Sequence, residues 1–172
     1  MKLKQLALGA LTAVLAVVAP AHARLDDDTH KLINFIDRSG IVVTINDAES
    51  CTDDKYHILG FYSHTGMRRT LALCPGSSVD AIDHATVRHE VWHAIQHCIN
   101  VARGTSFTTP IATDISKLMT MVRENVPASE IQNIQQNYEP KKWLMEYEAV
   151  LAENIFTAAE IQDLFKRACI SQ

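Results

Sequence analysis

No part of this 172-residue chain gathers lysines and arginines into a cluster, and the formal net charge is −4. A chain of that balance lacks the cationic surface that phosphate backbones and anionic membranes attract. Nucleic acid and membrane surfaces are therefore not expected as partners. Internal repeats and low-complexity linkers are missing too, so the length is read as one domain with a modest core. Cysteine is limited to four residues, none in a C-x-x-C pair, which argues against a cysteine-based zinc site. Only one long apolar run occurs, and it stands at the start.

That start reads "MKLKQLALGALTAVLAVVAPAHA". Lys2 and Lys4 precede an apolar run from Leu6 to Val18, and Ala21-His22-Ala23 follows. These are the three regions of a secretory signal peptide. The run of about 13 residues is short of the roughly 20 that span a bilayer. The expectation is a signal peptide over residues 1–23, cleaved after Ala23, and a single domain over 24–172 that is periplasmic or extracellular and free of the membrane. Cys51, Cys74, Cys98 and Cys169 all lie in the exported part. An even number in an oxidising compartment predicts two disulfides. The pairing expected is Cys51–Cys74, tying a β region together, and Cys98–Cys169, pinning the last helix to a histidine-bearing one.

The signals change once along the chain. Residues 25–38 predict a helix with three aspartates at the positive end of its dipole. "IVVTI" (41–45) is strand-like. "YHILGFYS" and "RRTLALC" flank "HTGM" and predict a hairpin that ends at Cys74-Pro75-Gly76. Beyond Asp80 the pattern is helical over about 80–101, 113–125, 128–138, 141–155 and 158–170. Pro110, Pro127 and Pro140 mark breaks, and Thr157 with Glu160 forms a capping box. The fold class expected is α+β: a small antiparallel sheet with an edge hairpin, followed by a helical half.

One stretch carries chemistry. "RHEVWHAIQHC" (88–98) contains His89-Glu90-Val91-Trp92-His93, an H-E-x-x-H pattern. Residues four apart share a helix face at about 6 Å, so both imidazoles can reach one Zn²⁺. Glu90, one step round, is badly placed as a ligand and well placed to take a proton from water. Val91, Trp92, Ala94 and Ile95 make the helix largely buried, and bare ionisable groups there are costly unless paired or metal-bound. His97 stands two turns, about 12 Å, from His89 and is read as a neighbour of the site. Gln96 and Ile99 occupy the glycine and third-histidine positions of the longer metzincin motif, which excludes that class. A third ligand must then come from another helix. "NYEPKKWLMEYEAVLAENI" offers Glu146, Glu148 and Glu153, and periodicity does not choose between Glu146 and Glu148.

H-E-x-x-H on one helix and E-x-x-A on a later one resembles the gluzincin type of zincin metallopeptidase, especially its minimal and ImmA/IrrE-like members. The second turn is Glu146-Tyr147-Glu148-Ala149. The resemblance implies one Zn²⁺ per chain held by His89, His93 and Glu146, with Glu90 as catalytic base. It makes Glu148 a supporting residue or an ion-pair partner. It also covers the hairpin at 58–73, where an extended peptide substrate would add as a further strand. Tyr62, Tyr138 and Tyr147 are the candidates for stabilising the oxyanion. The function implied is a secreted or periplasmic zinc metallopeptidase. The alternatives are a non-catalytic periplasmic metal-binding protein and a degenerate zincin that serves as a partner-binding module.

Overall fold

A computed structural model describes residues 27–47, 51, 59–74, 82–106 and 109–171. The expected signal peptide at 1–23 and its cleavage site lie outside the described residues. The chain opens with helix α1, Asp27–Arg38, which carries Asp27 and Asp28 in its first turn and Arg38 in its last. Both charges oppose the helix dipole at their own end. Leu32 and Ile36, one turn apart, are fully buried.

Three strands follow: β1 Val42–Ile45, β2 Gly60–Thr65 and β3 Arg68–Leu73. β2 and β3 form the expected antiparallel hairpin, with Gly60 opposite Leu73 and Thr65 opposite Arg68. The tip is tighter than "HTGM": His64 and Thr65 belong to β2, and only Gly66 and Met67 turn. Gly66 has φ 59°, as the first position of a type II′ loop requires. The sheet order is β1-β3-β2. β1 departs from the antiparallel expectation, because it lies parallel to β3 with Val42 opposite Thr70. β-branched patterning marks a strand but carries no direction. Here β1 finishes beside Leu73, the end of β3, which is also where Gly60 begins β2. The Cys51–Cys74 disulfide, with a Cα–Cα distance of 5.7 Å, fastens Cys51 to the residue that follows β3.

The helical half is α2 His84–Arg103, α3 Ile115–Asn125, α4 Ala128–Asn137, a 3₁₀ turn at Pro140–Lys142, α5 Trp143–Ile155 and α6 Ala158–Phe165. The Asp83 side chain accepts from Thr86 N–H at the start of α2, and Gly104 closes it at φ 66°, the left-handed C-terminal stop that glycine favours. Thr157 and Glu160 form the expected capping box on α6. A wider turn at Lys166–Ile170 continues α6 and brings Cys169 to Cys98, with Cα atoms 5.3 Å apart. Both disulfides pair as expected. Among the described residues, no helix is long and apolar enough to cross a membrane.

Two cores result. One packs α1, the sheet, α2 and α6 around Leu32, Ile36, Leu71, Val91, Ile161 and Phe165. The other packs α3, α4 and α5 around Leu118, Val122, Ile134 and Leu151. α5 lies between them, and every residue from Met145 to Ala152 is buried. A helix apolar on all sides is one enclosed by other elements. Gly60 sits where β2 meets α2. A Cβ there would lie 2.9 Å from Thr86 Cγ2 and 3.2 Å from Glu90 Cγ, so only glycine lets this strand approach the H-E-x-x-H helix so closely.

Candidate metal centre

Helical geometry places His89 and His93 one turn apart on α2, and their Nε2 atoms stand 3.1 Å apart. α5 crosses α2 with Ala149 and Ala152 almost fully buried; small side chains there allow the two backbones to approach. That approach brings Glu146 Oε2 to 3.3 Å from His89 Nε2 and 3.4 Å from His93 Nε2. A tetrahedral ion with bonds of about 2.0–2.1 Å holds its ligand atoms about 3.3–3.4 Å apart. The three edges of this triangle match that spacing. His89, His93 and Glu146 thus form a group that could hold a metal ion.

The outward nitrogens of both rings are committed. His89 Nδ1 lies 2.8 Å from Glu153 Oε2, so it donates to that carboxylate. His93 Nδ1 lies 2.7 Å from Gln96 Oε1. The Gln96 amide nitrogen donates to Glu148 Oε2 at 2.8 Å and to Met145 O at 3.1 Å, which fixes its oxygen toward His93. With both Nδ1 atoms donating, each ring in its neutral form turns an Nε2 lone pair toward the Glu146 carboxylate. Three such lone pairs meeting in a buried space need positive charge between them, a metal ion or, without one, protons on the imidazoles. The donor set and its spacing fit a zinc ion.

Charge effects point the same way. Burial alone would push His89 down, but Glu146 and Glu153, helped by Glu90, lift it to about 10. Burial likewise pushes Glu146 up, and the hydrogen bonds from His89 and His93 overcome this and hold it down to about 2. The pocket is built for positive charge.

Glu148 is not in the triangle. Its carboxylate accepts from Ile111 N–H at 2.8 Å and Ala112 N–H at 2.7 Å as well as from Gln96. It anchors the chain before α3 and, through Gln96, sets the orientation of His93; none of its partners is an ion pair. His97 also stands apart, its Nδ1 3.3 Å from the Tyr62 hydroxyl and its ring centroid 4.0 Å from that of His64.

A cleft of 590 Å³ opens beside the triad, lined by His89, Glu90, Tyr138, Lys142 and Glu153 among others. Glu90 is buried, which raises its pKa against the pull of His89 and His93; it accepts a hydrogen bond from the Tyr62 backbone. Among the three tyrosines, Tyr138 alone lines this cleft. Burial, reinforced by Glu146, Glu90 and Glu153, raises its pKa and keeps its hydroxyl protonated. Tyr62 faces His97, and the Tyr147 hydroxyl accepts from Gln135 in the second core. A more apolar cavity of 390 Å³ lies on the other face of α5, beside Trp92 and Leu118, and includes none of the triad.

The hairpin register decides which backbone groups the cleft meets. Cys74 N–H donates to Leu59 O at 2.8 Å. Leu59, Phe61 and Ser63 therefore turn their amides inward to β3, and Gly60, Tyr62 and His64 turn theirs outward. Among the described residues no further strand pairs with β2, and of these outward amides the Tyr62 N–H donates to Glu90.

Sequence reasoning weighed Glu153 only as a ligand and passed over Gln96 as a partner. Both carried a signal. Glu153 stands two turns after Glu146, hence on the same face, and Gln96 stands one turn after His93 on a helix already read as buried. Comparison with models of known protein families, with curated proteins and with solved structures finds no match.

Proposed function

We propose that the chain is an exported zinc metallopeptidase of the gluzincin type. The observation that supports this most is the closure of Glu146 on both Nε2 atoms at ligand-edge distances, with Glu90 beside them on an open cleft. His89, His93 and Glu146 would hold one Zn²⁺, three protein ligands being the number a catalytic zinc takes. An imidazole–carboxylate set of this kind favours zinc and also accepts iron, manganese or cobalt. Bound there, zinc supplies Lewis acidity toward water and the scissile carbonyl.

The chain's own residues do the rest. Glu90, made more basic by burial, takes a proton from the attacking water and returns it to the leaving amine. The Tyr138 O–H donates to the carbonyl oxygen as negative charge builds on it. Glu153 and Gln96 hold the two imidazoles in the tautomer that offers Nε2. The edge of β2 that no other described strand covers is where a peptide substrate would add as a strand. Two disulfides suit an oxidising compartment, in keeping with a leader at 1–23 and a domain over 24–172.

The test is Glu90→Gln. It should keep one zinc per chain and lower hydrolysis of a mixed peptide library by about two to four orders of magnitude. A wild-type protein that holds one zinc and cleaves nothing sinks the peptidase reading in favour of a degenerate, partner-binding zincin. The His64–His97 pair favours a second reading, a metal-binding protein without catalysis. Such a protein takes more than one metal per chain and is indifferent to Glu90→Gln.

A further inference from the structure

We propose that Lys142, with Asn133, recognises a carboxylate on the substrate. This rests on the peptidase reading and adds the class of peptide selected. The cleft is mostly acidic: Glu90 and Glu153 line it, and Glu146 belongs to the adjoining triad. These carboxylates are committed, Glu153 to His89, Glu146 to both imidazoles and Glu90 to the Tyr62 backbone. Among the described residues Lys142 is the one lysine or arginine on the cleft, and its ammonium has no hydrogen-bond or ion-pair partner. The contrast with its neighbour is direct, because Lys141 pairs with Glu139 at 2.7 Å.

The backbone beneath Lys142 is held firmly. Lys142 N–H donates to Glu139 O at 2.8 Å, Pro140 opens the turn, and Trp143 Nε1 donates to Tyr138 O at 2.9 Å. The same cleft carries Asn133 and Asn137. Asn137 donates its amide to the Asn133 side-chain oxygen, so Asn133 is left with its own N–H₂ group, which has no acceptor among the described residues. An ammonium and an amide donor without protein acceptors, in a cleft whose carboxylates are already committed, suit a carboxylate ligand. Hydrogen bonds assisted by charge on both partners are the strongest such a cleft can make.

The carboxylate has two possible sources, an Asp or Glu side chain and the peptide's own C-terminus. Three fluorescein-labelled peptides of one sequence separate them: neutral and amidated, neutral with a free C-terminus, and amidated with one glutamate. Binding is read by fluorescence anisotropy on Glu90→Gln protein, both loaded with zinc and metal-free. One carboxylate-bearing peptide should bind roughly tenfold or more tighter than the neutral one, and which one does so names the source. Lys142→Met should reduce that preference below about twofold, Lys142→Glu should reverse it toward a lysine-bearing peptide, and Lys142→Arg should restore it. Equal affinity for all three peptides, no binding of any, or a preference that survives Lys142→Met overturns the proposal. Anisotropy needs no turnover, so failure to bind zinc or to hydrolyse counts against the peptidase reading alone.

Discussion

The two halves of α2 each carry histidine beside another element, and among the described residues only the first half joins a group that could hold a metal ion. In the first, His89 and His93 meet Glu146, and a second carboxylate, Glu153, stands behind His89. In the second, His97 meets His64 and Tyr62, with Arg69 near. The consequence is opposite in sign. Carboxylates lift His89 to about 10 against burial, whereas burial, His64 and Arg69 all lower His97. The second half is instead tied covalently, through Cys98–Cys169. Spacing along a helix brings histidines together; the charge of what crosses that helix decides whether they bind a cation.

The sharpest way to break this contrast is Glu146→Gln. Losing one of three ligands, in a site whose total binding is on the order of 10 kcal/mol, should weaken zinc by roughly three orders of magnitude in a competition titration. Glu148→Gln should leave zinc bound. If Glu148→Gln strips the metal and Glu146→Gln does not, the triangle described above is not the site. Next in size is the covalent tie. Replacing Cys98 and Cys169 by alanine opens a 71-residue separation and should cost about 4 kcal/mol in urea unfolding, with zinc stoichiometry unchanged. Loss of zinc along with that stability would mean that the two halves of α2 are not independent.

Glu153→Gln should weaken zinc by about ten- to a hundredfold, the usual effect of removing the partner of a ligating histidine. His97→Asn should change zinc affinity less than about twofold, since the His97 ring meets Tyr62 and His64, which are outside the triad. A larger loss would place His97 in the first half's chemistry.

The contrast also sets a pH dependence for the metal-free protein. His89 is raised above its ordinary 6.5, so the stabilisation it contributes is whole below that value and fades as pH climbs toward about 10. Glu146 is depressed below its ordinary 4.5. Its contribution is whole above that value and fades as pH falls toward about 2. Both describe one interaction, so the urea midpoint should be highest between the two ordinary values and fall on either side. Glu146→Gln should flatten the curve, and a curve unchanged by that substitution would remove the coupling.

Much of this was legible in the residues. His89-Glu90-x-x-His93, the Thr157–Glu160 capping box, both cysteine pairs and the β2–β3 hairpin depend on short-range spacing, cysteine parity and turn chemistry, which a sequence displays directly. The choice of Glu146 over Glu148 was open to periodicity, because α5 is buried from Met145 to Ala152 and a helix enclosed on all sides shows no preferred face. The close crossing at Ala149 and Ala152 settled it, turning Glu146 to the histidines and Glu148 to Ile111 and Ala112. The same limit hid the direction of β1, since a pattern of side chains is identical read parallel or antiparallel. It hid Glu153 and Gln96 as well, whose partners are 64 residues away in one case and decided by the Glu148 network in the other. Local spacing thus determined what could bind a metal. Only the packing of α5 against α2 decided which carboxylate completes the group, because that choice depends on distances between segments far apart in the chain.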